Sequence, residues 1–170
     1  ILSGFAEIAV VSFEDLYGGK LVAALDRQHP RDLYDVRLLL ANEGLTRDLF
    51  RAFLVYLISH DRPMSEIISP RFRDIKHEFE HGFVGMTVDA VSREELESTR
   101  KELVESIHKA FTDGDRELLL SIKRGAPKWH LLKIDGVEAL PAVRWKLQNL
   151  EKLPDGKRKE LVERLARVLQ

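Results

Sequence analysis

Residues 20–36, Lys20-Leu-Val-Ala-Ala-Leu-Asp-Arg-Gln-His-Pro-Arg-Asp-Leu-Tyr-Asp-Val36, decide how this chain folds. Pro30 has no backbone N–H and restricts the residue before it, so the stretch reads as two helices joined by a short turn. The first is predicted from its cap at Ser12 to about residue 27, with Glu14 and Asp15 where the helix dipole favours acid. The second runs from about 31 to 42 and ends before Gly44. At about 100° per residue, Phe13, Leu16, Tyr17, Leu21 and Ala24 form an apolar stripe, and Lys20 and Arg27 fall inside it. The second helix is apolar nearly all round, with Leu33, Tyr34, Val36, Leu38, Leu39 and Leu40, and so is expected to be buried. Asp32 and Asp35, three apart, are neighbours at its start.

Charges of both signs are thereby brought against a core, where they must pair, bind a ligand or change protonation. One reading is structural: Asp32 caps its helix, while Lys20 and Arg27 snorkel or pair with the aspartates. The other is a site for a phosphorylated substrate. Gly18 and Gly19 each cost a helix about 1 kcal/mol relative to alanine, which points to close approach of another backbone or of a ligand. They do not open a phosphate loop, because Glu14 stands where its first glycine belongs and Leu21 where Ser or Thr belongs.

Upstream, residues 5–12 (FAEIAVVS) are short, β-branched and apolar, the best strand candidate in the chain. Downstream, the pattern is helical. A helix from Thr46 to about 60 is followed by an irregular connection marked by Pro63 and Pro70. A helix over 72–81 leads to the glycine-punctuated loop GFVGMTVDA. Ser92-Arg-Glu-Glu95 is a capping box opening a long helix to about 111. Asp113 is expected to cap the next, to about 123, and Gly125 and Pro127 precede two last helices at about 136–149 and 155–169. The expected fold is mostly α with at most one or two short strands, in two parts, 1–90 and 91–170.

With 44% apolar and 32% charged residues in 170, the composition is that of a globular chain with a real core. Net charge is −1, so no global field recruits nucleic acid, and an RNA partner needs a local basic patch. Such a patch is offered by Lys123, Arg124, Lys128, Lys133 and Arg144 with Trp129, His130 and Trp145. The absence of cysteine excludes disulfides, a thiol nucleophile and Cys-ligated zinc, and fits a cytoplasmic protein. No apolar run approaches a bilayer span, so no membrane partner is expected.

The pattern K-L-x-A-x-x-x-R followed by R-D-L-Y-D resembles the AbiEii/AbiGii toxin family of bacterial nucleotidyltransferases. FEHGFVGM (79–86), LLLSIKRGAPKW (118–129) and LPAVRWKLQNLEKL (140–153) are similar to the same family, so the resemblance covers most of the chain. It implies the helical C-terminal region of a polymerase-β-like transferase from a toxin–antitoxin or phage-defence system. Such an enzyme moves a nucleotide from an NTP to an acceptor, in some members the 3′ end of tRNA, and works opposite a cognate antitoxin. By position, Lys20 matches the family lysine expected at the nucleotide phosphates, and Asp35 its later active-site aspartate. Arg27, Arg31 and Asp32 match the rest of the block, the arginines as nucleotide contacts and Asp32 beside Asp35.

The family's Gly-Ser motif and the paired aspartates that hold two magnesium ions are not present; the only Asp-x-Asp is Asp113-Gly-Asp115, in a helix-cap context. The metal ligands are therefore expected upstream of Ile1, with 5–11 as a last strand of that part, and these residues alone are expected to be inactive. Two rival readings come from the residues. His77-Glu-Phe-Glu-His81 matches H-E-x-x-H, a zinc site if Asp89, Glu94, Glu95 or Glu97 supplies a third ligand. A non-catalytic helical interaction module is the other. Its amphipathic tail at 157–169 would either cover this protein's own core or dock an antitoxin.

Overall fold

The computed structural model describes residues 12–170, so the strand expected at 5–11 lies outside the described residues. Among those described, the chain is helical without a strand: α1 (Phe13–Asp26), α2 (Pro30–Asn42), α3 (Arg47–Ser59), α4 (Met64–Ile68), α5 (Lys76–Gly82), α6 (Arg93–Ala110), α7 (Asp113–Arg124), α8 (Pro141–Glu151) and α9 (Asp155–Val168). The mostly α expectation holds. Ser12 caps α1 by accepting from the Asp15 N–H at 3.1 Å. The capping box at Ser92 and Glu95 forms as read from the sequence.

Several local expectations are corrected. The cap of α2 is His29, whose Nδ1 accepts from the Arg31 N–H, with Pro30 in the first turn. Asp32 is thereby left inside the helix, free to take Arg27. The cap of α7 is Thr112 rather than Asp113. The connection after Pro63 holds the short helix α4, which buries Met64, Ile67 and Ile68. Five residues are too few to show a helical period, so composition gave no sign of it. The helix read over 72–81 begins only at Lys76, and the one read over 136–149 is split by Leu140 into a 3₁₀ turn and α8.

α1 packs chiefly on α3, and α6 crosses α2. Leu21, Leu25, Leu33, Phe50, Phe53, Leu103 and Ile107 join one buried cluster that continues across the 83–91 loop. Gly18 explains how α1 sits. A Cβ there would meet the carbonyl carbon and Cβ of Ala52 on α3, both at 3.0 Å. The close approach inferred for the glycines is thus that of another backbone. Gly19 faces only the Tyr56 ring, at 3.3 Å, which can swing aside. Gly18→Ala is expected to cost about 1–3 kcal/mol by forcing the two helices apart. Gly19→Ala, whose roughly 1 kcal/mol gain in helix propensity offsets the Tyr56 shift, should be close to neutral. Urea melts of the two variants check this; equal midpoints would reject the contact.

The tail covers the protein's own core: α9 packs on α7 and α4, burying Leu165, with Leu169 beyond it. Arg164 reaches Glu66 at 3.0 Å beside it. Lys146 on α8 is also buried and donates to the carbonyls of His60 and Arg62 just beyond α3. Burial, helped by the neighbouring Lys123, pushes its ammonium down to about 7. The folded chain therefore releases this proton near neutrality, whereas the unfolded chain keeps it to the ordinary lysine range. Stability should rise with pH between those limits, by at most about 1.4 kcal/mol per pH unit. Urea midpoints at about pH 7 and pH 9 test the slope. Lys146→Met should flatten it, and an unaltered slope would assign the linkage elsewhere.

Candidate active-site face on helices α1 and α2

The buried side of α1 is Gly18, Leu21, Val22, Ala24 and Leu25. Because the Gly18 side is drawn against α3, the stripe read from the wheel is rotated outward, and Phe13 and Leu16 are exposed. Lys20 and Arg27 turn out with them. α2 likewise buries one side only, Pro30, Leu33, Val36 and Leu39, and leaves Leu38 exposed. The cluster is not sunk in the core. It lies on an open face shared by two adjacent helices.

On that face the Lys20 ammonium donates to the Asp35 carboxylate, with side chains 32% and 38% exposed. The ammonium also lies 5.7 Å from the centre of the Tyr17 ring. Further along, Arg27 donates to Asp32 at 2.9 Å. The second oxygen of Asp32 is buried without a hydrogen-bond partner among the described residues. Arg31 is exposed and donates to the Gly82 carbonyl, so its charge meets no carboxylate among the described residues. The structure thus places Lys20, Arg27, Arg31, Asp32 and Asp35 along one face, in two ion pairs with an additional arginine.

A partly exposed pair of this kind contributes little to stability, at most about 1 kcal/mol. It can open for a ligand at small cost. Lys20 can then turn to a phosphate while Asp35 takes another donor. Among the described residues no three His, Cys, Asp or Glu side chains gather as a metal site. Asp113-Gly-Asp115 is no exception. Asp115 is fully buried, bound by Arg47 and closing the capping box with Thr112, while Asp113 points to solvent.

Residues 1–149 match the family model described as the nucleotidyl transferase AbiEii toxin of type IV toxin–antitoxin systems. The chain belongs to the AbiEii family. Neither the curated proteins nor the solved structures contain a significant match. An AbiEii chain is a nucleotidyl transferase toxin with an antitoxin counterpart, and here the family match includes the whole Lys20–Asp35 block. Among the described residues of this AbiEii chain no helix is long and apolar enough to cross a membrane.

The rival motifs take ordinary places in the AbiEii fold. His77 and His81 stack on each other at 4.5 Å on the exposed surface of α5, and His81 Nδ1 lies 3.0 Å from the His77 carbonyl. No third ligand joins them among the described residues. The basic stretch at 123–145 is partly neutralised: Lys123 is buried, and Lys128 and Arg124 share Glu117 at 2.7 and 3.3 Å. Lys133, Arg144 and Trp145 stay exposed there.

Two residues that sequence reasoning passed over lie beneath the site. Gln28, in the left-handed region at φ 54°, is buried in the turn between α1 and α2. Its side chain donates to the Arg71 carbonyl and accepts from the Arg73 N–H and from Arg100. Arg100 also donates to the Arg73 carbonyl, and burial pulls its guanidinium below its ordinary value. The sequence held one sign of this: Arg100 falls in the apolar stripe of α6 with Leu96, Leu103 and Ile107.

Proposed function

We propose that this chain is the helical part of a transferase that moves a nucleotide from an NTP to an RNA acceptor such as tRNA. Lys20 and Asp35 form one side of its active site. The observation that carries this reading is the Lys20–Asp35 pair itself, held half-exposed on an open face within the family-matched block. In nucleotidyl transfer the acceptor hydroxyl attacks the α-phosphorus and the bond to pyrophosphate breaks. Most of the catalysis is positioning and neutralisation of phosphate charge. Lys20 would supply that charge at the phosphates, and Arg27 and Arg31 would extend it along the nucleotide. Asp35 holds the ammonium toward the open face until substrate takes its place.

Such transferases use magnesium held by paired carboxylates, and this sequence carries the Asp-x-Asp spacing only at Asp113 and Asp115, in a helix cap. We place the metal-holding carboxylates on polypeptide outside residues 1–170. Exposed Phe13 and Leu16 before Lys20, and Leu38 after Asp35, give the face the apolar margins that a covering domain would use. The fragment is accordingly proposed to be inactive by itself. Its setting would be a cytoplasmic toxin–antitoxin system of the phage-defence kind. The test incubates the chain, with and without its natural upstream sequence, with labelled NTPs, magnesium and total RNA. Label should appear on RNA only with the upstream part. No label with any of the nucleotides would remove the transferase reading and leave a helical interaction module.

A further inference from the structure

Residues 70–73, Pro70-Arg-Phe-Arg73, cross the molecule as a strap between α4 and α5. All three of Arg71, Phe72 and Arg73 are exposed, yet the backbone of Arg71 and Arg73 is held from beneath by Gln28 and Arg100 through three hydrogen bonds of 2.8–3.1 Å, and Arg100 donates to Gln28 at 2.9 Å. Phe72 lies over the Arg100 guanidinium, 4.4 Å from its ring centre, and remains 41% exposed. A cleft lies on either side of the strap. One, of about 490 Å³, is walled by Arg27, Arg31 and Arg73 together with Asp32, Asp74 and Glu78; the other, of about 380 Å³, by Arg62, Arg71 and Arg73.

Arg31, Arg71, Arg73 and Arg100 reach no carboxylate within ion-pair distance among the described residues. Arg71 and Arg73, exposed and without a carboxylate partner among the described residues, flank an exposed phenyl ring on a held backbone, and this matches what a single strand of nucleic acid requires. Such a strand asks for donors to its phosphates and a flat apolar face for a base. Asp32, Asp74 and Glu78 supply acceptors on the wall of the larger cleft. Those acceptors suit the amino and hydroxyl groups of a nucleotide and oppose a bare polyphosphate. We infer that the 70–73 strap is a docking platform for single-stranded RNA, with Arg71 and Arg73 on successive phosphates and a base stacked on Phe72. The inference rests on the transferase reading for why RNA is the strand. It puts the acceptor next to Arg27 and Arg31, and so beside the proposed nucleotide site.

The test is fluorescence anisotropy with a labelled single-stranded RNA of about 12 nucleotides, within the range of known single-strand site sizes. Salt is titrated from about 50 to 200 mM. Arg71→Ala with Arg73→Ala should weaken binding about tenfold or more and lower the salt slope by about 1.4, the value for two single-strand phosphate contacts. Phe72→Ala should weaken it about tenfold, and Phe72→Trp should restore it. The backbone bonds of the strap survive these substitutions, so unchanged thermal melts are expected. Lys128→Ala with Arg144→Ala should leave binding intact. Unchanged affinity in the strap variants, loss in the Lys128/Arg144 variant instead, or equal competition by a glutamate-rich peptide would each overturn the proposal. The last result would make the strap a site for an acidic protein segment. Binding needs neither NTP nor transfer, and Lys20→Ala should bind RNA as wild type does. Failure of transfer with an intact strap would therefore count against the transferase reading alone.

Discussion

Lys20→Ala should lower nucleotide transfer by at least about 100-fold, the usual consequence of removing one charge-stabilising donor from a transition state. The size follows from the chemistry. Transfer builds charge on the phosphates, and the half-exposed ammonium is paired with Asp35 on the proposed active-site face. Lys20→Arg keeps the charge but replaces a compact ammonium with a planar fork that Asp35 can grip at two oxygens. Partial activity is expected from it, and the comparison separates charge from geometry. Quantified label on RNA at saturating NTP checks both variants. Transfer within a factor of a few of wild type in Lys20→Ala would remove the lysine from the site.

The second large effect is structural. Arg47 at the start of α3 grips the Asp115 carboxylate through two bonds, of 2.8 and 2.6 Å, and Asp115 also accepts from the Thr112 N–H and hydroxyl. Burial by itself raises the Asp115 carboxyl, but Arg47 and the Thr112 hydrogen bonds outweigh it and hold the group below its ordinary value. In the wild type this contribution is present above the unfolded carboxylate range and is lost as pH falls through the depressed folded value. Arg47→Ala strands a carboxylate with no exposed surface. We expect a cost of about 3 kcal/mol near pH 7, tempered by the Thr112 bonds that remain. That corresponds to a fall in Tm of roughly 6–12 °C for a chain of this size. The sign then reverses with acid, because the stranded carboxyl, now raised by burial, is relieved by protonation. The gap between variant and wild type should narrow at about pH 4.5. A gap independent of pH would mean that lost packing, not stranded charge, is responsible.

Much of the fold was legible where local chemistry decides it. Pro30, the Ser92 capping box and Gly125 mark helix ends through backbone hydrogen bonding that neighbours alone determine. The wheel of α1 was misread because hydrophobicity ranked Phe13 and Leu16 above Gly18. In the folded chain the missing side chain is what lets α3 approach, so Gly18 selects the buried side. α2 looked buried all round because apolar residues recur on nearly every side of it, yet Leu38 is exposed and Asp35 half-exposed. The lysine-to-aspartate block was legible as a family pattern, but its pairing was not: Lys20 with Asp35 and Arg27 with Asp32 follow from how α1 and α2 lie together. The basic stretch at 123–145 read as a candidate RNA contact, and the share of it that Glu117 neutralises was not legible because Glu117 lies outside the stretch, on the preceding turns of α7. The strap at 70–73 shows no periodicity, and its support from Gln28 and Arg100 comes from distant segments.

The central claim is that the Lys20–Asp35 pair is an active-site element and not a strut. Four proteins, wild type, Lys20→Ala, Asp35→Ala and the double variant, each extended upstream and measured for both urea midpoint and label transfer, test it most directly. The expected result is a stability coupling of less than about 1 kcal/mol, as for other half-exposed pairs, with transfer lost in all three variants. Large destabilisation by either single substitution, relieved in the double, together with transfer that follows only the folded fraction, would contradict it.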